Sequence, residues 1–190
     1  MITFFQQSPK TYFFYWLWCV CLLAPLSVEL RAQSSKLDNL QVNLWNMGTE
    51  LAIPADSDYK LVTAIENPYL PYQHAIRSSK ENLEIRFYFQ PESQNTPFPQ
   101  VESYRLAMHM GNNEQTIFSA RELTTYELDS VFHADWGRVY LFTPKAGFSI
   151  QKYCKMLTLH RENKGVVYVI FLFDKPSALI DERLHILRYW

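Results

Sequence analysis

Glycine, cysteine and net charge are all scarce in this chain. Only five glycines occur among 190 residues, too few for a glycine-rich loop that gathers backbone N–H groups around a phosphate. No G-x-S-x-G, H-E-x-x-H, C-x-x-C, P-loop or G-x-G-x-x-G pattern is present. The local signatures of serine hydrolases, zinc proteases, dithiol redox enzymes and nucleotide-binding enzymes are therefore missing. A dispersed constellation stays open, because catalytic groups need not be neighbours in sequence. No catalytic residue, cofactor or metal ligand is assigned. With 18 basic against 19 acidic side chains the net charge is −1, which argues against a nucleic-acid partner and the clustered basic surface it requires.

The three cysteines are Cys19, Cys21 and Cys154. The first two fall in a run from Thr11 to Val28 (TYFFYWLWCVCLLAPLSV) that contains no charge. Lys10 precedes the run and Leu30-Arg31-Ala32-Gln33 follows it, the layout of a secretory signal peptide. Cleavage is expected after Ala32, although Leu30 occupies a position where a small residue is usual. A bilayer span takes about 17–25 residues, so a retained anchor over residues 11–28 is the alternative. No small residues precede either cysteine, which argues against a lipid anchor. The expectation is an exported protein, working in the periplasm, at the outer membrane or outside the cell. A membrane is a partner only if the N-terminal segment is kept.

Loss of residues 1–32 takes Lys10, Arg31 and Glu29 with it and leaves a net charge of −2 on residues 33–190. Cys154 is then the only thiol, so no internal disulfide forms. Residues 33–190 are long enough for a single domain held by packing alone.

Residues 166–173 (VVYVIFLF) are uninterruptedly apolar, β-branched and aromatic, the pattern of a strand buried on both faces. Residues 152–160 lead into it across Arg161–Gly165, a polar turn ending in glycine, and predict a hairpin. A second hairpin is expected between 72–77 and 83–89. Shorter strands are expected at 51–53, 59–65 and 138–143. Helices are expected at 101–110 with Tyr104, Ala107 and Met108 as one stripe, at 124–134 behind the capping box Thr124-x-x-Glu127, and at 177–188 with Ser177 as cap. Residues 35–47 fit either a helix (Leu37, Leu40, Leu44, Met47) or a strand (Leu40, Val42, Leu44). Together these elements predict an α+β domain, an antiparallel sheet flanked by helices.

The order of elements resembles the PsbP-like α/β sandwich over about residues 50–188. There a strand near an Ile-Pro dipeptide, here Ile53-Pro54, opens the domain, and a last hairpin feeds a C-terminal helix. The blocks 82–89 (NLEIRFYF), 134–149 (ADWGRVYLFTPKAGFS) and 153–173 are similar to those of exported bacterial proteins of uncharacterised families. The resemblance implies a non-enzymatic domain that binds partners at membranes, and it carries over no residue role.

Four side chains are the binding candidates. Tyr69 and Tyr72 lie in the stiff segment NPYLPY, and Phe98 sits between Pro97 and Pro99; exposed loop aromatics favour recognition, and the alternative is that these rings fold back as lids over the sheet edge. Arg86 alternates with Leu83, Ile85 and Phe87, so it stands on the polar side of its strand beside Glu84. That side is expected to be either a solvated face with charge pairs to His74 or Arg77, or a polar wall facing a ligand. In His133-Ala-Asp135, an imidazole beside a carboxylate on a strand could bind a metal or act as a base, but the segment falls at a helix end, where histidine suits the dipole and aspartate shapes the turn. Cys154 and His160 are about 20 Å apart on one strand at ~3.3 Å per residue, too far to make an activated thiol. Trp136 is expected to plug the core. The leading expectation is a non-catalytic exported domain binding a protein or envelope component. The alternatives are an envelope hydrolase with a dispersed His/Asp/Glu site and an anchored accessory subunit of a membrane complex.

Overall fold

A computed structural model describes residues 37–92, 98–112, 114 and 118–190. The expected signal segment, Cys19 and Cys21 lie outside these residues, as does the middle of the proline loop at 91–100. Leu40–Trp190 make up one body.

Strand β8 (Gly165–Phe173) is buried along its whole length. A run without a polar face can only occupy the middle of a sheet with both faces covered. Its neighbours are β4 (Leu83–Pro91) and β7 (Tyr153–Arg161), and outward from these lie β3 (His74–Ser78), β2 (Lys60–Val62), β6 (Trp136–Phe142) and β5 (Phe118–Glu122). The order is β2-β3-β4-β8-β7-β6-β5, antiparallel at every pairing. Strands β1 (Thr49–Leu51) and β9 (Leu187–Tyr189) form a separate two-stranded sheet. The helices are α1 (residues 37–47), α2 (Pro99–Met110) and α3 (Ala178–Arg183). The protein is an α+β domain with its sheet flanked by helices.

Alternation along β8 divides the core. Val167, Val169, Phe171 and Phe173 join a cluster with Leu40 and Met47 of α1, Phe132, and Ile180 of α3. Val166, Tyr168, Ile170 and Leu172 join another with Leu106, Ala107 and Met110 of α2 and the loop residues Leu70, Tyr72 and Phe148. The β7–β8 turn needs its glycine: Gly165 has φ +117°, and a Cβ there would meet the backbone oxygen of Gln90 at 2.2 Å.

Several elements depart from the sequence reading. Residues 37–47 are helical, with Leu40 and Met47 buried and Val42 outside, which a strand could not arrange. The capping box forms reciprocally, Thr124 N–H to Glu127 Oε2 at 2.8 Å and Glu127 N–H to Thr124 Oγ1 at 3.2 Å. Bonding to Arg121 foremost pulls the Glu127 carboxyl down to about 2. The helix behind the box is π-wound over Glu127–Phe132 and stops at His133, whose φ is 50°. The expected helix 177–188 runs only to Arg183, with no side-chain cap from Ser177, and passes through a 3₁₀ turn (Leu184–Ile186) into β9. Leu187 and Tyr189 turn inward and Arg188 outward, a period of two that wins because β1 offers a ladder. Strand β5 was not expected; its five residues are all exposed. Trp136 is only half-buried at the start of β6, with the Arg138 guanidinium 5.5 Å over its ring instead of core around it.

Thr158, in the middle of β7, is fully buried, and its hydroxyl is the one buried side-chain polar atom without a partner among the described residues. An unsatisfied buried hydroxyl costs about 1–3 kcal/mol. Thr158→Val keeps the shape and removes that cost. A gain of about 1 kcal/mol is expected, which is roughly 2–4 °C in Tm for a domain of this size. A lower Tm would show that the hydroxyl is satisfied.

Candidate functional site

The four binding candidates occupy two different environments. Tyr72 and Arg86 are buried. Strand β4 turns Glu84 and Arg86 to the α2 side of the sheet, opposite Leu172 and Ile170, where loops rather than water cover them. The Arg86 guanidinium is sandwiched between aromatic rings, 4.7 Å from the centroid of Tyr72 and 5.0 Å from that of Phe148. Its Nη1 donates to the Phe148 carbonyl at 3.0 Å and its Nε to Glu84 Oε1 at 2.7 Å. The other Glu84 oxygen accepts from Arg77 Nε at 3.0 Å and from Arg77 Nη2. Burial raises the Glu84 carboxyl, but hydrogen bonds from Arg77 and Arg86 outweigh it and hold the group below its ordinary value.

The loops over this ion chain are interlocked. Asn67 Oδ1 accepts from Tyr69 N–H at 3.0 Å, and Asn67 Nδ2 reaches the carbonyls of Gly147 and Phe148 at 3.3 and 3.5 Å. Tyr72 uses its hydroxyl to accept from the Ile65 N–H at 3.0 Å. Two expectations are corrected here. The Glu84–Arg86 side of β4 is not a solvated face, because Phe148 and Tyr72 close over it. Tyr72 is not a surface anchor, because its ring is the stacking partner that a buried guanidinium requires. Arg77 is the cross-strand partner of Glu84, while His74 instead accepts from Asn43 Nδ2 at 2.8 Å, and burial lowers its pKa. A hollow of about 200 Å³ opens beside Arg77, Ser78, Asn82, Glu84 and Gln151, yet its cation and carboxylate already bond each other.

The remaining candidates lie at opposite ends of α2. Phe98 is 65% exposed at the N-terminal boundary, its carbonyl accepting from the N–H groups of Val101 and Glu102. Tyr69 is half-buried beside the last turn, its carbonyl accepting from His109 Nδ1 at 3.2 Å and its ring 5.3 Å from the His109 ring. Between them the helix turns apolar residues outward as well as inward. Ser103, Leu106, Ala107 and Met110 face the sheet, but Val101 (64% exposed), Tyr104 (49%) and Met108 face away from it. The stripe expected from Tyr104, Ala107 and Met108 therefore mixes the two sides. Exposed Phe118 of β5 stands edge-on to Tyr104 at 6.1 Å and extends the apolar face sideways. Sequence reasoning missed this surface. The signal was present in Phe98-x-x-Val101-x-x-Tyr104-x-x-x-Met108, a second helical stripe beside the one that packs.

The residues of the alternative catalytic reading serve local structure. Asp135 Oδ2 accepts from the Glu162 N–H at 2.6 Å and ties the β7–β8 turn, while His133 is exposed in its left-handed turn. Cys154 is fully buried between Phe142 and Leu172 in register, and burial pushes its thiol up, far from thiolate chemistry at neutral pH. Among the described residues no group of three or more His, Cys, Asp or Glu is placed to hold a metal ion. Comparison with protein-family models, curated proteins and solved structures gives no match.

Proposed function

We propose that this chain is an exported, non-catalytic domain that binds a partner protein of the cell envelope through the outer face of α2. The observation that carries the reading is the stripe Phe98, Val101, Tyr104 and Met108, extended by Phe118 and left uncovered on a helix whose other side is already packed. Contiguous apolar surface of this kind marks interaction sites. The rim is polar, with the Glu102–Arg105 ion pair on the helix and Lys145 near Tyr69, an arrangement that excludes water around central anchors. Nearly balanced charge fits affinity drawn from aromatic and apolar anchors rather than from steering. Export rests on the charge-free run Thr11–Val28 behind Lys10, and the PsbP-like resemblance points the same way.

A photo-crosslinking residue at position 101 or 104 is expected to capture a discrete envelope protein, whereas one at exposed Tyr126 is not. Phe98→Ala/Tyr104→Ala should keep the wild-type melting curve and weaken the captured complex. Each lost anchor costs about 2 kcal/mol, roughly 30-fold in Kd. Equal adducts at positions 104 and 126, or unchanged affinity of the variant, would overturn the surface. Intact mass of the envelope form tests export separately: loss of residues 1–32 is expected, and a species retaining Met1 would favour the anchor instead.

A further inference from the structure

The hollow beside the β3–β4 turn carries donors that the surrounding structure leaves unused. Arg77, Ser79, Asn82, Glu84 and Gln151 line it, with Leu83 the one apolar residue of the lining. Asn82 closes the turn with φ 49°. The Asp58 carboxylate accepts from the Ser78 hydroxyl, and from the Ser79 and Lys80 N–H groups at 3.1 Å each. Those backbone donors are spent on Asp58. Arg77 is held differently. Its Nε and Nη2 both donate to Glu84 Oε2, which occupies one edge of the planar guanidinium. The other edge, formed by Nη1 and the second hydrogen of Nη2, bonds nothing among the described residues, and the side chain is 56% exposed. Arg86 fixes Glu84 in turn, so two guanidiniums share one carboxylate and the chain nets one positive charge. Gln151 reaches the hollow from the segment before β7. Its Oε1 accepts the Ser149 hydroxyl, which leaves the Nε2 amide free.

We infer that this hollow binds a carboxylate, of a small organic acid or of a peptide C-terminus, on the free edge of Arg77. Two parallel N–H groups match the two oxygens of a carboxylate. A guanidinium already fixed by a buried acid loses little freedom when it binds. The lining sets the ligand's charge. Arg77 is the only cation among the lining residues, and the backbone N–H groups that could cradle a phosphate already bond Asp58. A singly charged, planar anion is therefore favoured over phosphate. The Gln151 amide and the Ser79 hydroxyl supply neutral donors beside it. The volume of about 200 Å³ has room for about six or seven non-hydrogen atoms, at the ~30 Å³ that one water takes in the liquid. That suits a small acid or the last residue of a chain. No residue of α2 lines the hollow, so this inference stands apart from the surface proposed above.

The test is a titration of the isotope-labelled full chain with sodium acetate, following the Arg77 Nε–H and the Gln151 and Asn82 side-chain amide signals. A saturable shift with a millimolar Kd is expected, and sodium chloride at equal ionic strength should give none. Arg77→Lys keeps the charge beside Glu84 but loses the fork, and should weaken acetate roughly tenfold. Gln151→Glu keeps the acceptor for Ser149 and puts a negative charge in the hollow, so acetate binding should be lost while the melting curve holds. Should Arg77→Lys unfold, Gln151→Glu alone decides. N-acetyltriglycine separates the two sources: tighter binding than acetate assigns the site to a peptide C-terminus, and weaker binding to a small acid. The inference is overturned if acetate gives no saturable shift, or if chloride or phosphate binds as tightly. It is equally overturned if the C-terminal amide of N-acetyltriglycine competes with acetate, or if either variant binds acetate like wild type.

Discussion

Phe171→Ala is expected to leave the domain barely folded. Phe171 lies at the middle of β8, between Ile85 of β4 and Lys155 of β7, and is fully buried. It belongs to the cluster that joins the sheet to α1 and α3. Both neighbouring strands are held by ladder hydrogen bonds, so the space left by the ring cannot collapse without tearing the sheet. Removing a buried phenylalanine ring costs about 3–5 kcal/mol, against a total stability of about 5–15 kcal/mol for a domain. At roughly 2–4 °C per kcal/mol for a domain of this size, Tm should fall by about 6–20 °C. In a urea titration the midpoint should drop while the slope stays the same. An unchanged midpoint would mean that β8 is not the centre of the sheet.

Arg86→Ala is expected to cost nearly as much, for an electrostatic reason. Glu84 is buried and ionised because two guanidiniums bond it. Without Arg86, one of its oxygens loses its partner, and Tyr72 and Phe148 lose the cation between them. Breaking one side of a buried pair typically costs about 3–5 kcal/mol. The pH dependence gives the sign. In the wild type the folded pKa of Glu84 lies below its ordinary value, so its contribution is present above that value and is lost as pH falls through the folded pKa. In the variant, burial is opposed by Arg77 alone and the carboxyl moves upward. The deficit relative to wild type should therefore shrink as pH falls and Glu84 takes a proton. Glu84→Leu/Arg86→Met should recover much of the loss, since apolar residues of similar volume replace buried ion pairs well. A single variant within about 1 kcal/mol of wild type would show that the ion pair is solvated.

The two effects differ in how far they could be read in advance. Phe171 was legible in the sequence: eight consecutive apolar residues have no polar side to turn outward, so the strand is central wherever its neighbours come from. Both hairpins, the Thr124–Glu127 capping box and the α2 helix were legible for the same reason, each being specified within a few residues of itself. The environment of Arg86 was not. Alternation placed it correctly on the other side of β4 from Ile85 and Phe87, but the side chains that cover it come from the distant segments 67–72 and 144–149. No local pattern says whether a polar strand face meets water, a ligand or a loop.

The candidate surface divides in the same way. Phe98 was named from its prolines and does stand at the surface; Tyr72, named on the same grounds, folds inward. Tyr104, Ala107 and Met108 fit one helical stripe in the sequence, yet α2 carries two stripes and the sheet can cover one. Which one it covers depends on where the crossover from β4 to β5 lays the helix. Trp45 and Trp190 are separated by most of the chain and meet only because β9 pairs with β1. By itself, the sequence determined the central strand, the two hairpins, the capping box and the charge-free N-terminal run, all of which follow from short-range periodicity and steric preference. Only the tertiary structure decided which charges are buried and which aromatic rings are left in water. Those depend on contacts between distant segments, and the free energy of burying a side chain depends on what arrives to cover it.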